Sequence, residues 1–466
     1  MLDLQLSKND ERPFYLQIAE HLRYLIVSGT LRAGEKLPAV RKLADQLGIN
    51  PATVVAAYRI LNKEGLISQR HGSGAYVTDH KSLTEGQTLA VHAHPAGSGT
   101  ADSIDFSGNT PPGALYPLPL VKGIIDEILD SEGIAVFQYQ DAEGHSPLRA
   151  VWAEEFAKSW KQDVSLSNIS VVSGAQQGID LAVRLLVKRG DSVVLESPGY
   201  RGARDVLLAN GASVVPVGME EDGISIKCLE KNLKQRNIRA LYINPVLHNP
   251  TTAVWSEEKC EKVAELARKH DFYIIEDDQF SDMLTTPFAP LASYAPDRVI
   301  YVKSYSKILF PGLRVAGLYV PKQLFERLVA MKRTADIASN GLMQRVLQRL
   351  LISGGYEQHK RDVRQVYSAS MDLFEAFAAG NADLGLSWKR PQGGFNVWAG
   401  LPQGCQASVL AGAASRRGLL LSPEALFRNE GKIAADSHVR MSIGSADEKS
   451  LAEGLRRFAA CVRDCV

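Results

Sequence analysis

From Ile104 onward the sequence alternates short apolar runs with longer amphipathic ones. "ISVVSG", "SVVLES", "ALYIN", "FYIIEDD" and "VIYVKSYSK" read as strands, while "QQGIDLAVRLLVKRG" and "EEKCEKVAELARKH" read as helices. This βαβ rhythm leaves few architectures. A strand that is apolar on both faces needs helices above and below it, so the sheet is largely parallel and wrapped by helices, an α/β fold. In such sheets ligands gather beyond the carboxyl ends of the strands, and the polar residues of interest fall there.

The first 78 residues follow other rules. "YLQIAEHLRYLI" puts Leu16, Ala19, Leu22 and Ile26 on one helical stripe. "AVRKLADQLG" repeats the spacing with Val40, Leu43, Ala44 and Leu47, and Gly48 ends it. "NPATVVAAYRILNKEG" opens with Asn50 as N-cap and Pro51 at the first helical position, and Val54, Ala57, Tyr58 and Leu61 face a core. "LISQRHGSGAYVT" alternates around "HGSG" as a β-wing. Together these predict a winged helix-turn-helix. In that motif the start of the third helix meets base edges and nearby cations meet phosphates. Asn50, Ala52, Thr53, Ala56 and Arg59 are left facing out on the third helix. Arg41 and Lys42 on the second helix, and Arg70, His71 and Gly72 at the wing, are placed for the DNA backbone or minor groove. Residues 1–78 hold ten Lys+Arg against seven Asp+Glu, although the 466-residue chain carries a net charge of only +1. On pattern alone, a protein-interaction module remains the alternative.

Residues 79–104 keep no period and read as a flexible linker. The expected plan is therefore 1–78 as the DNA-binding domain, 79–104 as linker and 105–466 as the α/β domain. The five cysteines are scattered and contain no CxxC, so neither a disulfide framework nor a metal site is expected. The polar start suggests no signal peptide, and no apolar run approaches ~20 residues. A reducing cytoplasm, with no membrane partner, is the expected location.

The chemistry concentrates in "SYSKILFPGLR". A lysine forms an imine with an aldehyde when its amine is accessible and its pKa lowered. Alone, Lys307 would be a surface charge. Here Ser304, Ser306 and Arg314 surround it with phosphate-binding groups. "VVSGAQQGIDL" adds a strand, a turn at Gly174 and a helix start, where the amides of Ala175 and Gln176 can cradle a phosphate. "IIEDDQF" offers Asp277, which beside a pyridine nitrogen would keep the ring an electron sink. "SPGYRG" supplies Tyr200 for stacking, "LHNPTT" supplies Asn249 as a donor, and "HVRMSIG" supplies Arg440 to clamp a carboxylate. Each has a plain structural alternative: a helix cap, core packing, an Asn-Pro turn, a surface arginine.

Two resemblances bring these parts together. The stretch "PFYLQIAEHLRYLIVSGTLRAGEKLPAVRKLADQLGINPATVVAAYRILNKEGLISQRHGSGAYV" resembles the DNA-binding domain of GntR-type bacterial repressors. It departs from them at Ala39, where a helix-capping Ser is usual. Residues 105–466 resemble fold type I aminotransferases, which use pyridoxal 5′-phosphate (PLP), through "YQDAEG", "SGAQQG", "SPGY", "HNP", "EDD", "SYSK", "GGFNVW" and "VRMSIG" in that order. The whole is similar to the MocR-type branch of GntR regulators.

By these resemblances Lys307 forms the internal aldimine and Asp277 pairs with the pyridine nitrogen. Tyr200 stacks on the ring and Asn249 reaches its hydroxyl oxygen. Gly174, Ala175, Gln176, Ser304, Ser306 and Arg314 surround the phosphate, and Arg440 takes an effector carboxylate. Tyr139 reaches the partner subunit's phosphate, which implies a homodimer. The implied protein is a regulator that binds operator DNA and senses an amine, an amino acid or PLP itself. A catalytically active aminotransferase with a vestigial DNA-binding head is the rival. Gln279 stands where relatives carry a Tyr that donates to the ring oxygen, which predicts weak transamination.

Overall fold

In the computed structural model the described residues are 13–27, 31, 34–63, 66–70, 74–78, 103–429 and 436–465. The chain divides into two units, Met1–His94 and Pro95–Val466.

The first unit contains α1 (Phe14–Val27), α2 (Val40–Leu47), α3 (Pro51–Lys63) and the antiparallel pair β1 (Ile67–Arg70) and β2 (Gly74–Val77). Gly48 adopts the left-handed conformation that ends α2, and the Ala39 start of that helix has no side-chain cap. The Asn50 Oδ1 accepts from the Ala52 amide at 2.8 Å and opens α3. Ile18, Ala19, Leu22, Leu43, Val54, Ala57, Tyr58 and Leu61 fill the core. Leu16, expected inside, is half-buried, and Ile18 takes its place.

The second unit begins with β3 (Ile104–Asp105), α4 (Leu118–Glu132) and α5 (Ser146–Trp160). A βαβ succession follows: β4 (Ile169–Val172), α6 (Ala175–Leu186), β5 (Ser192–Ser197), α7 (Arg201–Ala209), β6 (Ser213–Glu220), β7 (Gly223–Ile224), α8 (Ile226–Gln235), β8 (Ile238–Ile243), α9 (Glu257–Lys269), β9 (Tyr273–Asp278), α10 (Leu291–Tyr294), β10 (Val299–Ser304) and β11 (Ala316–Tyr319). These strands form one sheet in the order β4-β11-β10-β9-β8-β5-β6-β7. The pairs β10·β9, β9·β8, β8·β5 and β5·β6 are parallel. β11 runs antiparallel to both of its neighbours, so β4 points the same way as β10. The carboxyl ends of β4, β5, β8, β9 and β10 therefore lie along one edge. Helix α9 follows the expected electrostatics: Ser256 caps the Lys259 amide, acids fill the first turn and bases the last.

Long helices α11 (Lys322–Asp336), α12 (Gly341–Ile352) and α13 (Gly355–Gly380) lead to a smaller sheet of β12 (Asn396–Gly400), β14 (Ser422–Pro423) and β15 (His438–Ser442). Helix α14 (Ala407–Arg416) and the pair of β13 (Leu419–Leu420) with β3 adjoin it, and α15 (Glu448–Arg463) closes the unit.

One expectation fails here. Cys405 and Cys465 form a disulfide, with Cα atoms 5.4 Å apart and a sequence separation of 60. That separation gives no spacing signal, because the fold alone brings α15 back onto the turn before α14. Among the described residues no group of His, Cys, Asp and Glu is arranged to hold a metal, and no helix is long and apolar enough to cross a membrane.

Candidate functional site

The polar groups of the site gather beyond this shared edge. β9 ends on Glu276, Asp277 and Asp278, and side-chain alternation along a strand sends them different ways. Glu276 accepts from the Leu291 and Ala292 amides at 3.0 and 3.1 Å. Asp278 holds Lys303 at 3.2 Å, and Lys303 also pairs with Asp282 at 2.7 Å. Asp277 is fully buried, and its Oδ2 accepts from the Tyr242 hydroxyl at 2.7 Å and the Gln279 amide at 2.6 Å. Its Oδ1 has no partner among the described residues. Burial pushes the Asp277 carboxyl up to about 6, against the two donors, which pull it down.

Lys307 follows β10. Its amine is lowered to about 8 by burial first and by the Arg440 charge second, with Asp277 opposing. The Lys307 Nζ donates to the Asn109 carbonyl. Arg440, on β15, is buried and donates to Asn249 Oδ1 at 2.8 Å and to the Ser107 carbonyl at 2.6 Å. Asn249 is itself fixed by its amide, which donates to Asn244 Oδ1 at 2.8 Å, while Asn244 Nδ2 donates to the Asp277 carbonyl at 2.7 Å.

Gly174, with φ +87°, precedes the first turn of α6. A Cβ there would stand 2.6 Å from the Arg314 Nη2, so the guanidinium lies directly against the helix start. Arg314 also donates to the Ser173 carbonyl at 2.6 Å. The amides of Ala175 and Gln176 occupy that first turn, and backbone N–H groups beside a guanidinium make an anion cradle. Ser304 is buried at the end of β10, and its Oγ accepts from the Ser306 amide at 3.4 Å. Tyr200 donates to Gln176 Oε1 at 2.9 Å, and burial followed by the Asp277 charge raises its hydroxyl well above the usual range.

The structure thus brings together Lys307, Asp277, Asn249, Arg440, Tyr200 and Gln176 through direct contacts or mutual charge, and Arg314 lies against Gly174 at the start of the helix that carries Gln176. Tyr139 stands apart at 87% exposure. Gln279 is committed to Asp277, because the chain turns at Phe280 and leaves its short amide beside the carboxylate. In the first unit Arg41, Asn50, Ala52 and Arg59 are exposed and Thr53 and Ala56 half-buried. His71 and Gly72, the side chain of Arg70 and most of the expected linker lie outside the described residues. Tyr242, Asn244 and Asn109 were missed by sequence reading. The signal available for Tyr242 and Asn244 was a pair of polar tips, two residues apart, at the end of an apolar strand.

These residues fit PLP: an orphaned buried carboxylate oxygen, a lysine whose pKa burial lowers, and an anion cradle of helix-start amides beside the Arg314 guanidinium. Residues 101–458 match the family model "Aminotransferase class I and II". The chain belongs to this family. Residues 14–77 match "Bacterial regulatory proteins, gntR family". The uncharacterized HTH-type transcriptional regulator YdfD of Bacillus subtilis is 27% identical over 98% of both chains. The probable rhizopine catabolism regulatory protein MocR of Rhizobium meliloti is 26% identical over 97% of this chain and 94% of its own. The α-aminoadipate aminotransferase LysN of Thermus thermophilus, solved with N-(5′-phosphopyridoxyl)-L-leucine, has a TM-score of 0.72 and 28% identity over 78% of this chain and 92% of its own. The pairing of domains is that of MocR-type gntR regulators: a DNA-binding head fused to a PLP-binding, aminotransferase-like domain.

Proposed function

We propose that this regulator senses an amine or amino acid, or PLP itself, in its second unit and changes operator binding by its head in response. The observation that supports this most is a buried lysine of lowered pKa just beyond the large sheet, within electrostatic reach of a buried arginine from the smaller sheet, on a chain with a gntR-type head. PLP supplies an aldehyde that condenses reversibly with primary amines. Lys307 would hold its aldehyde carbon, Asp277 Oδ1 its ring nitrogen and Asn249 its ring hydroxyl. Tyr200 would lie beside the ring. Gly174, Ala175, Gln176, Ser304, Ser306 and Arg314 would hold the phosphate, and Arg440 a ligand's carboxylate. Domain boundaries at 1–78, 79–104 and 105–466 belong to the same reading.

The segment Ser107–Asn109 suits transmission. Arg440 donates to the Ser107 and Gly108 carbonyls, and Lys307 to the Asn109 carbonyl. The chain reaches this segment directly from the proposed linker through β3. A carboxylate taken by Arg440 competes with those carbonyls, and a ligand shifts an equilibrium only through such a difference in contacts.

A homodimer belongs to the reading as well. Ile134, Phe137 and Tyr139, at 78%, 69% and 87% exposure, form a run of large apolar side chains suited to a partner subunit. Operator binding would place the protein in the cytoplasm with the nucleoid. Little or no turnover is expected, although Lys307 and Arg440 keep the aminotransferase alternative alive. Purified protein should absorb visible light as an imine, and borohydride should fix the cofactor to the peptide containing Lys307. Protein that stays colourless after PLP addition would remove this reading.

A further inference from the structure

Helix α3 carries two stripes of equal spacing. Val54, Ala57, Tyr58 and Leu61 are buried in the core of the first unit. Ala52, Val55, Ala56 and Arg59 repeat that i, i+3, i+4, i+7 pattern on another face, and all four are exposed or half-exposed. Val55 is 47% exposed and takes no place in the core among the described residues.

A β-branched residue is a poor choice for a helix surface. It loses rotamer freedom there and gains nothing from burial. Its neighbours Ala52 and Ala56 offer only methyl groups, so this face has no side-chain donor before Arg59. Exposed cations accompany it: Arg59 on the same stripe, and Arg41 and Lys42 in the first turn of α2. Methyl groups accompanied by cations suit one surface in particular. In the DNA major groove the apolar group on a base edge is the thymine C5-methyl, and phosphates line both sides.

We propose that Val55 is a sequence-reading residue, whose branched methyls meet the C5-methyl of a thymine in the operator. This rests on the DNA-binding reading of the head and adds a residue and a base to it.

The test begins with PLP-loaded, full-length protein and a pool of randomised duplexes. In a recovered duplex each thymine is replaced singly by deoxyuridine, which deletes the methyl and keeps every hydrogen-bonding group. At one or more positions the wild type should bind about fourfold more weakly, the value of one buried methyl-sized group. Val55→Ala should bind the thymine and deoxyuridine duplexes there equally well. Val55→Thr, which keeps the shape, should retain part of the discrimination. Binding that ignores every methyl deletion, or a methyl effect unchanged in Val55→Ala, overturns the inference and leaves the regulator reading standing. Failure to enrich any duplex overturns both.

Discussion

The Arg440 guanidinium donates to Asn249 Oδ1 at 2.8 Å, so the group proposed for a ligand's carboxylate is tied to the group proposed for the cofactor's ring hydroxyl. A carboxylate that takes Arg440 must change what Asn249 feels. The two residues should therefore act as a unit. Arg440→Lys and Asn249→Ala, singly and together, are expected to be non-additive in the affinity for amino-acid effectors, with a coupling of about 0.5–3 kcal/mol. Spectral titration of the four proteins with a panel of amino acids measures it. Additive effects would separate the two roles.

Cofactor capture should depend on pH through Lys307. Its amine, lowered to about 8, is protonated and unreactive at lower pH and neutral above it. The rate of PLP uptake by apoprotein should rise about tenfold per pH unit below 8 and level off above. Stopped-flow absorbance reports this, and a plateau reached only near pH 10 would mean the amine is not depressed.

Gly174→Ala should damage both stability and the phosphate cradle. The backbone has φ +87°, and the new Cβ would meet Arg314 at 2.6 Å. The expected loss is about 1–3 kcal/mol in chemical denaturation, with weaker PLP binding. Gly190→Ala is the control, because Gly190 has φ +88° but nothing within 4 Å of its Cβ position. It should lose stability from backbone strain alone and keep its PLP affinity.

Gln279 supports the expectation of poor turnover. Its amide donates to Asp277 at 2.6 Å. Gln279→Tyr is expected to raise half-transamination, read as conversion of the cofactor's absorbance with an amino acid, and to leave operator binding without effector unchanged. No gain in conversion would mean that the missing phenol does not limit the chemistry.

Much of this was legible in the sequence because periodicity and turn chemistry are local. Asn50 and Gly48 announce their helix ends through their own hydrogen-bonding and backbone preferences, and the βαβ rhythm alone implies a sheet edge with Asp277 and Lys307 on it. Contacts across long separations were not legible. Tyr242 meets Asp277 across 35 residues, Lys307 meets Asn109 across 198, and Cys405 meets Cys465 across 60. Only the fold brings such pairs together. Val55 was assigned to neither face of its helix for another reason: it lies off the core spacing of Val54, Ala57, Tyr58 and Leu61, and it has no hydrogen-bonding group to mark it as a reader of bases.

The most direct measurement is an operator-binding titration of wild type and Lys307→Ala, run beside their visible spectra and a keto-acid assay over amino acids and ω-amino acids. The account predicts that one amine changes both the spectrum and the DNA affinity of the wild type with little or no keto acid formed, and changes neither in Lys307→Ala. Turnover near ~10 per second, ordinary for an enzyme, with DNA affinity unmoved by every amine would contradict it.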